Sequence, residues 1–334
     1  MRNVLLARSA ENLFWLGRYL ERAENLARIL EVNVTFARDA HGLQDWLPIL
    51  RLHWDEARFL EMHGAASADA VLYFYVLDRG NPTSIISAVT NARSNARALR
   101  PLISREMWSQ LNVFYNWIST LDQESLGPGH LTRLLAEIEE ACQTHTGITE
   151  GTFHRDQGWS FYWIGRYIER ADQTSRLLDI KSPILQARPS SETSSIDIAQ
   201  WNALLRSAAA YHPYRRVRSA ALTPEDIAGF LLLDPGLPRS VLLCTREVDR
   251  LLDELRSQYG LSAGKTAAEE LRALRADLRD LAGDKLLGEG LHELLDFVQR
   301  RLITVTQALT ADFFVLPADE FSVQVQHIEP SSDA

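Results

Sequence analysis

Cysteine is nearly absent. The chain of 334 residues has two, Cys142 and Cys244. They lie far apart and in no ligand spacing, so neither a disulfide framework nor a thiolate metal site is expected, and a reducing compartment is. Long apolar runs are missing too. None approaches the roughly 18 residues of a membrane helix. The opening MRNVLLARSAENLF meets charge too early for a secretory signal. The expectation is a cytoplasmic chain with no membrane partner. Basic charge is not in excess: the net charge is −9, which argues against a broad nucleic-acid face. The nine histidines form no HxxxH or HExxH pair, so no metal site is expected. A Gly-rich phosphate loop, a GxSxG elbow and a Cys/His nucleophile pattern are all lacking, so no nucleotide or other cofactor is expected.

What is present is an ordinary globular composition, 46% apolar and 24% charged, long enough to bury a large core. It is written in duplicate. FWLGRYLERAENLARIL at 14–30 returns as YWIGRYIERADQTSRLL at 162–178. The two share Trp15/Trp163, Gly17/Gly165, Arg18/Arg166, Tyr19/Tyr167, Glu21/Glu169, Arg22/Arg170, Ala23/Ala171 and Arg28/Arg176. Glu24/Asp172 and Asn25/Gln173 are conservative pairs. Further on, Trp46 echoes Trp201, and the turn Asp78-x-Gly80-x-Pro82-x-Ser84 echoes Asp234-x-Gly236-x-Pro238-x-Ser240. Repeats of this length imply two copies of one supersecondary unit, about 8–156 and 156–316. Two such copies are expected to pack face to face about a pseudo-two-fold axis. The expected fold is therefore an all-α multi-helix bundle forming one domain over 1–316, with a loose tail at 317–334.

The pattern is helical nearly throughout. Residues 129–146, 238–259, 265–282 and 289–311 carry apolar side chains at i, i+3, i+4 and i+7. VLYFYVL at 71–77 has a strand's composition, but its echo is rich in leucine and both follow an N-cap, Ser67 or Thr223, which predicts helix. In the turns after it, Gly80 and Gly236 are expected to supply a permissive backbone and Pro82 and Pro238 to start the next helix. Breaks are expected at 62–66, 78–81, 124–129, 181–199 and 283–288.

On a helical wheel the repeated segments place Leu13, Leu16, Leu20, Ala23, Ala27 and Leu30, or Phe161, Ile164, Ile168, Ala171, Ser175 and Leu178, on one stripe. Trp15/Trp163 and Tyr19/Tyr167 fill a flank, so each helix is expected to be buried nearly all round. The Arg/Glu/Arg cluster lies on the remaining side. Exposed ion pairs contribute about 0–1 kcal/mol and drift freely; a cluster kept in both copies meets something specific. Three readings follow. Arginines of one copy pair with the glutamate of the other and clamp the halves. Alternatively, Arg18, Arg22, Arg166 and Arg170, oriented by Glu21 and Glu169, form a pocket for a carboxylate or phosphate. In the third, Glu21 or Glu169 is a catalytic general base. The turn residues Asn81, Ser84 and Ser240 are candidate anion contacts through helix N-terminal amides, with plain capping as the alternative. The segment Tyr211–Arg218 reads as a basic loop.

The doubled Gly-Arg-Tyr-x-Glu-Arg-Ala, with LARSAENLFWLGRYLERAENLARIL and RDQGWSFYWIGRYIERADQTSRLLDIK around it, resembles the alpha-E domain family, over about 1–315. The resemblance maps the family's Glu-Arg dipeptide to Glu21-Arg22 and Glu169-Arg170, and its NP-x-S turn to Asn81, Pro82 and Ser84. Leu237 replaces the asparagine in the second copy. The resemblance implies a bacterial all-helical protein, neighbour or fusion partner of circularly permuted ATP-grasp ligases and transglutaminase-like proteases. It implies an accessory role in making or trimming amide bonds, with a peptide or other carboxylate-bearing ligand held by the Arg/Glu clusters. An enzyme in its own right and a pure scaffold are the alternatives.

Overall fold

The computed structural model describes residues 5–39, 46–186, 195–218, 223–259, 261, 263–280 and 291–314. Among them every regular element is helical and no strand occurs. In chain order the α-helices are α1 (Ala7–Asp39), α2 (Leu47–Leu52), α3 (Glu56–His63), α4 (Ala68–Val76), α5 (Ile85–Ala98), α6 (Arg105–Ile118), α7 (Leu131–Thr152), α8 (Gln157–Gln186), α9 (Ser195–Ser207), α10 (Tyr211–Val217), α11 (Pro224–Leu233), α12 (Val241–Tyr259), α13 (Lys265–Asp280) and α14 (Leu291–Leu309). One 3-10 turn, Glu124–Leu126, precedes α7, and a short π-helical turn, Thr310–Phe314, follows α14.

The two repeated segments are α1 and α8, and they lie against each other at the centre. Around them α5 and α7 pack on α1, and α12 and α14 pack on α8. Both apolar stripes are buried, and no residue from Ala10 to Val34 is exposed. The helices meet at Gly17 and Gly165. A Cβ on Gly17 would collide with the carbonyl oxygen of Tyr162, and one on Gly165 with that of Phe14. Side chains at a crossing set the distance between helix axes; here the absence of one on each helix lets backbone touch backbone.

VLYFYVL is helical, within α4, and the caps act as the sequence suggests. The Ser67 and Thr223 hydroxyl oxygens accept from the N–H groups of Ala70 and Asp226. The following turns differ from expectation. Gly80 and Gly236 are not in the left-handed region. Each donates its N–H to the carboxylate two residues earlier, Asp78 or Asp234, at 2.8 Å. Glycine permits that close approach, since a Cβ on Gly80 would crowd the Asp78 oxygen at 3.1 Å. Pro82 and Pro238 do not start helices either. Ser84 and Ser240 are the N-terminal caps of α5 and α12, accepting from Ser87 and Leu243, and the prolines sit in the turn before them.

The break expected at 181–199 is shorter, because α8 continues to Gln186 and α9 opens at Ser195. One backbone bond lost at Pro183, near the end of a long helix, does not stop propagation. The expected break at 283–288 and the tail 317–334 lie outside the described residues. Left-handed backbone at non-glycine positions occurs twice among those residues, at Trp54 (φ 60°) and Ala209 (φ 52°). Each follows the end of a helix, α2 or α9, and closes it in the same way. Asp55 N–H bonds to Leu50 O, and Ala210 N–H to Leu205 O.

The crossing yields a sharp contrast. Gly165→Ala is expected to destabilise by about 1–3 kcal/mol or more through overpacking. Gly147→Ala, on the open side of α7 with nothing near its Cβ, should stabilise by about 0.5–1 kcal/mol. Denaturant unfolding of the two variants reads both signs.

Candidate functional site

Directly beyond the glycine contact, one helical turn places Glu21 and Glu169 at the interface. Each glutamate is fully buried and faces arginines of the opposite helix. Arg18 Nε donates to Glu169 Oε2 at 2.7 Å, and Arg22 donates Nε to Oε1 at 2.7 Å and Nη2 to Oε2 at 3.0 Å. Reciprocally, Arg166 reaches Glu21 Oε2 with Nε at 3.0 Å and Nη2 at 2.5 Å. Arg170 reaches Oε1 at 2.8 Å and Oε2 at 2.9 Å. The aromatic flank holds these guanidiniums in place. Arg18 lies over Trp15 at 5.1 Å and Arg166 over Trp163 at 5.5 Å; Arg22 and Arg170 lie over Tyr19 and Tyr167. All six motif residues are thus brought together, and the carboxylates that the arginines meet are the protein's own.

Sequence comparison missed a second layer on one side. Arg239, in the turn before α12, puts Nη1 on Glu21 Oε1 at 2.7 Å and on the Asn25 side-chain oxygen, and Nη2 on Glu24 Oε1 at 2.8 Å. Glu24 also receives Arg166 and Arg28, and Arg28 continues to Glu139 on α7 at 2.9 Å. No sequence echo pointed to Arg239, because Thr83 stands at the matching place in the turn from Asp78 to Ser84. The available clue was local: an arginine next to a predicted cap, among buried acids.

Burial alone would raise the Glu21 carboxyl, but the guanidiniums of Arg170, Arg239 and Arg166 outweigh it and hold it well below the usual range near 4.5. Glu169 is likewise depressed, burial being overcome by Arg22 and Arg18. Both groups are ionised and poor proton acceptors. Glu139 goes the other way. Burial, aided by Glu31 and Glu24 and opposed by Arg28, raises it to about 7. Burial also raises the thiols of Cys142 and Cys244, the latter to about 12, and both are free and buried.

The turn candidates are occupied internally. Asn81 is buried, donating to Phe74 O at 3.0 Å and accepting from Thr83 N–H. Ser84 and Ser240 cap their helices and donate to Asp78 O and Asp234 O. The basic segment from Tyr211 is not a loop: it is α10, with Arg215 and Arg216 exposed on its last turn. One cluster of metal-ligand type occurs among the described residues: Asp179, His292 and Asp296, within 4.8 Å of one another. His292 Nδ1 lies 2.6 Å from Asp179, so the group reads as an exposed His–Asp ion pair.

The family pattern described as a predicted alpha-helical domain with a conserved ER motif matches residues 5–314. The chain belongs to that family, Alpha-E. Its Glu-Arg motifs are the reciprocal pairs Glu21-Arg22 and Glu169-Arg170 just described. Among curated proteins the chain is similar to the uncharacterized proteins Mb2597 of Mycobacterium bovis and Rv2567 of Mycobacterium tuberculosis, 26% identical to each over 93% of this chain. It spans 37% of the length of those relatives. No solved structure matches. Among the described residues no helix is long and apolar enough to cross a membrane.

Glu139 gives this Alpha-E chain a testable pH response. A carboxyl raised in the folded state contributes stability that is present below about 4.5 and is lost as pH rises through about 7. The stability of the native protein relative to Glu139→Gln should therefore fall between pH 5 and pH 8. Melting curves of both proteins across that range check the sign.

Proposed function

We propose that the chain is a non-catalytic helical module made of two matched copies, docked by reciprocal Glu–Arg clamps about a pseudo-two-fold axis. The observation that carries this reading is the exchange itself: Glu169 is held by Arg18 and Arg22, and Glu21 by Arg166 and Arg170. The mutual contact of Gly17 and Gly165 with Tyr162 and Phe14 supports it, as does the left-handed backbone at both Trp54 and Ala209. Removing one member of a buried pair strands a charge and costs about 3–5 kcal/mol, which suits a fastening. A general-base role for Glu21 or Glu169 is less favoured, because every carboxylate oxygen already accepts from arginine and both groups are held far below neutral pH. Capture of an external anion by the motif arginines is less favoured for the same reason.

The module's role in this reading is to assist an amide-bond-forming system built on a circularly permuted ATP-grasp ligase and a transglutaminase-like protease. The resemblance suggests those partners. The greater length of the mycobacterial relatives supports a unit that works beside further protein. A cytoplasmic setting belongs to the same proposal.

Two measurements separate the parts. Glu169→Gln should lose about 3–5 kcal/mol, since it strands Arg18 and Arg22, and Glu21→Gln less, since it strands Arg170 while Arg166 and Arg239 keep Glu24. Melts near that of the native protein would sink the clamp. Mixing with the ligase should give a complex on gel filtration and change ligase turnover several-fold. No complex together with no change of rate would remove the partner assignment and leave the clamp untouched.

A further inference from the structure

The two copies differ most where the clamp meets its surroundings. In one half, Arg239 is held by three acceptors on α1: Glu21, Glu24 and the Asn25 amide oxygen. Their matches on α8 are Glu169, Asp172 and Gln173. Like Glu24 with Arg28, Asp172 is paired along its own helix, with Arg176 at 2.9 Å. Gln173 donates to Glu169 at 3.2 Å, as Asn25 does to Glu21. The acceptor set is therefore repeated, but the arginine is not. Thr83 stands in its place, and the Gln173 side-chain oxygen, on a residue 94% buried, has no donor among the described residues.

The wall beside this socket differs as well. The left-handed residues Trp54 and Ala209 fix the register of the two turns after α2 and α9, so His53-Trp54-Asp55 matches Ala208-Ala209-Ala210. Three alanines in one half are an imidazole, an indole and a carboxylate in the other. The imidazole and the indole lie beside the Glu169 cluster. His53 feels the charges of Arg22, Arg176 and Glu169, and its Nε2 is buried without a partner. The Trp54 ring, 73% exposed, carries Arg176 at 5.3 Å. Asp55 is buried, accepts from Tyr75 and has the Thr83 hydroxyl beside it. The entrance is also more open: Arg22 is 21% exposed, against 12% for its match Arg170.

We infer that the Glu169 half is a binding site for a guanidinium group brought by a ligand, seated where Arg239 sits in the other half. The acceptors are Glu169, Asp172 and the Gln173 oxygen, with the exposed Trp54 ring, which already carries Arg176, as a cation–π surface at the mouth. The chemistry favours a cation, since the acceptors are carboxylates and an amide oxygen without a donor. It favours a planar cation with a fork of donors over a compact ammonium, because Arg239 shows the same acceptor set satisfied by two nitrogens of one guanidinium. The inference rests on the two-copy reading and is independent of the ligase partnership.

The test uses the full chain with four probes: ethylguanidinium, ethylammonium, neutral ethylurea, and an acetylated, amidated Ala-Arg-Ala peptide, all at millimolar concentration. Thermal shift and calorimetry should show saturable binding of ethylguanidinium, weaker binding of ethylammonium and none of ethylurea. Binding of the peptide as well would place the group on an arginine side chain; binding of ethylguanidinium alone would place it on a small molecule. Trp54→Ala, at an exposed position, should weaken binding about tenfold. Thr83→Arg should fill the socket, raise the melting temperature and abolish binding. Equal responses to ethylguanidinium and ethylurea, or undiminished binding in Thr83→Arg, would overturn the inference. If Thr83→Arg does not fold, the native protein and Trp54→Ala decide. A destabilising Glu169→Gln alongside absent ethylguanidinium binding removes the site and leaves the clamp.

Discussion

A carboxylate cut off from water must be surrounded by donors or give up its charge. Glu21 and Glu169 are in that position because Gly17 and Gly165 bring two helix backbones into contact one turn away. Much of the centre follows from this constraint. The arginines have to come from the opposite helix, since each helix directs its own guanidiniums across the interface. They need the indole and phenol faces of Trp15, Trp163, Tyr19 and Tyr167 to lie on. The outer helices α5, α7, α12 and α14 then close over a charged centre rather than an oily one.

The same arrangement separates two kinds of acid. Glu21 and Glu169 have more positive than negative charge near them and stay ionised. Glu139, at the outer end of the chain through Arg28 and Glu24, has other carboxylates for neighbours and one arginine, and it holds its proton to about pH 7. The network thus runs from a rigid, permanently charged middle to a titrating edge between α1 and α7.

The sequence made the helices legible because apolar spacing and capping residues agree along most of the chain. Even VLYFYVL was readable once Ser67 and Thr223 were recognised as caps. The central cluster was legible for a different reason: the Glu-Arg segment occurs twice in the sequence, and charges shared by both occurrences stood out. That method is blind to whatever one copy has alone, which is why Arg239 escaped it. Gly17 and Gly165 were visible as matches but carried no role, since an isolated glycine in a helix reads only as a local cost. The turn prolines misled because proline at a helix start and proline just ahead of a serine cap look the same in sequence.

Only four residues, Phe153 to Asp156, separate α7 from α8, so the two Glu–Arg halves lie on one chain. In a symmetric dimer of separate subunits every substitution would appear twice, once on each side of the axis. Covalent linkage removes that obligation. One side can retain an arginine that seals its own cluster while the facing side exchanges it for threonine and an exposed indole, and the fastening between them is shared by both. In the proposed two-copy reading, duplication followed by tethering is what makes a single asymmetric binding site attainable.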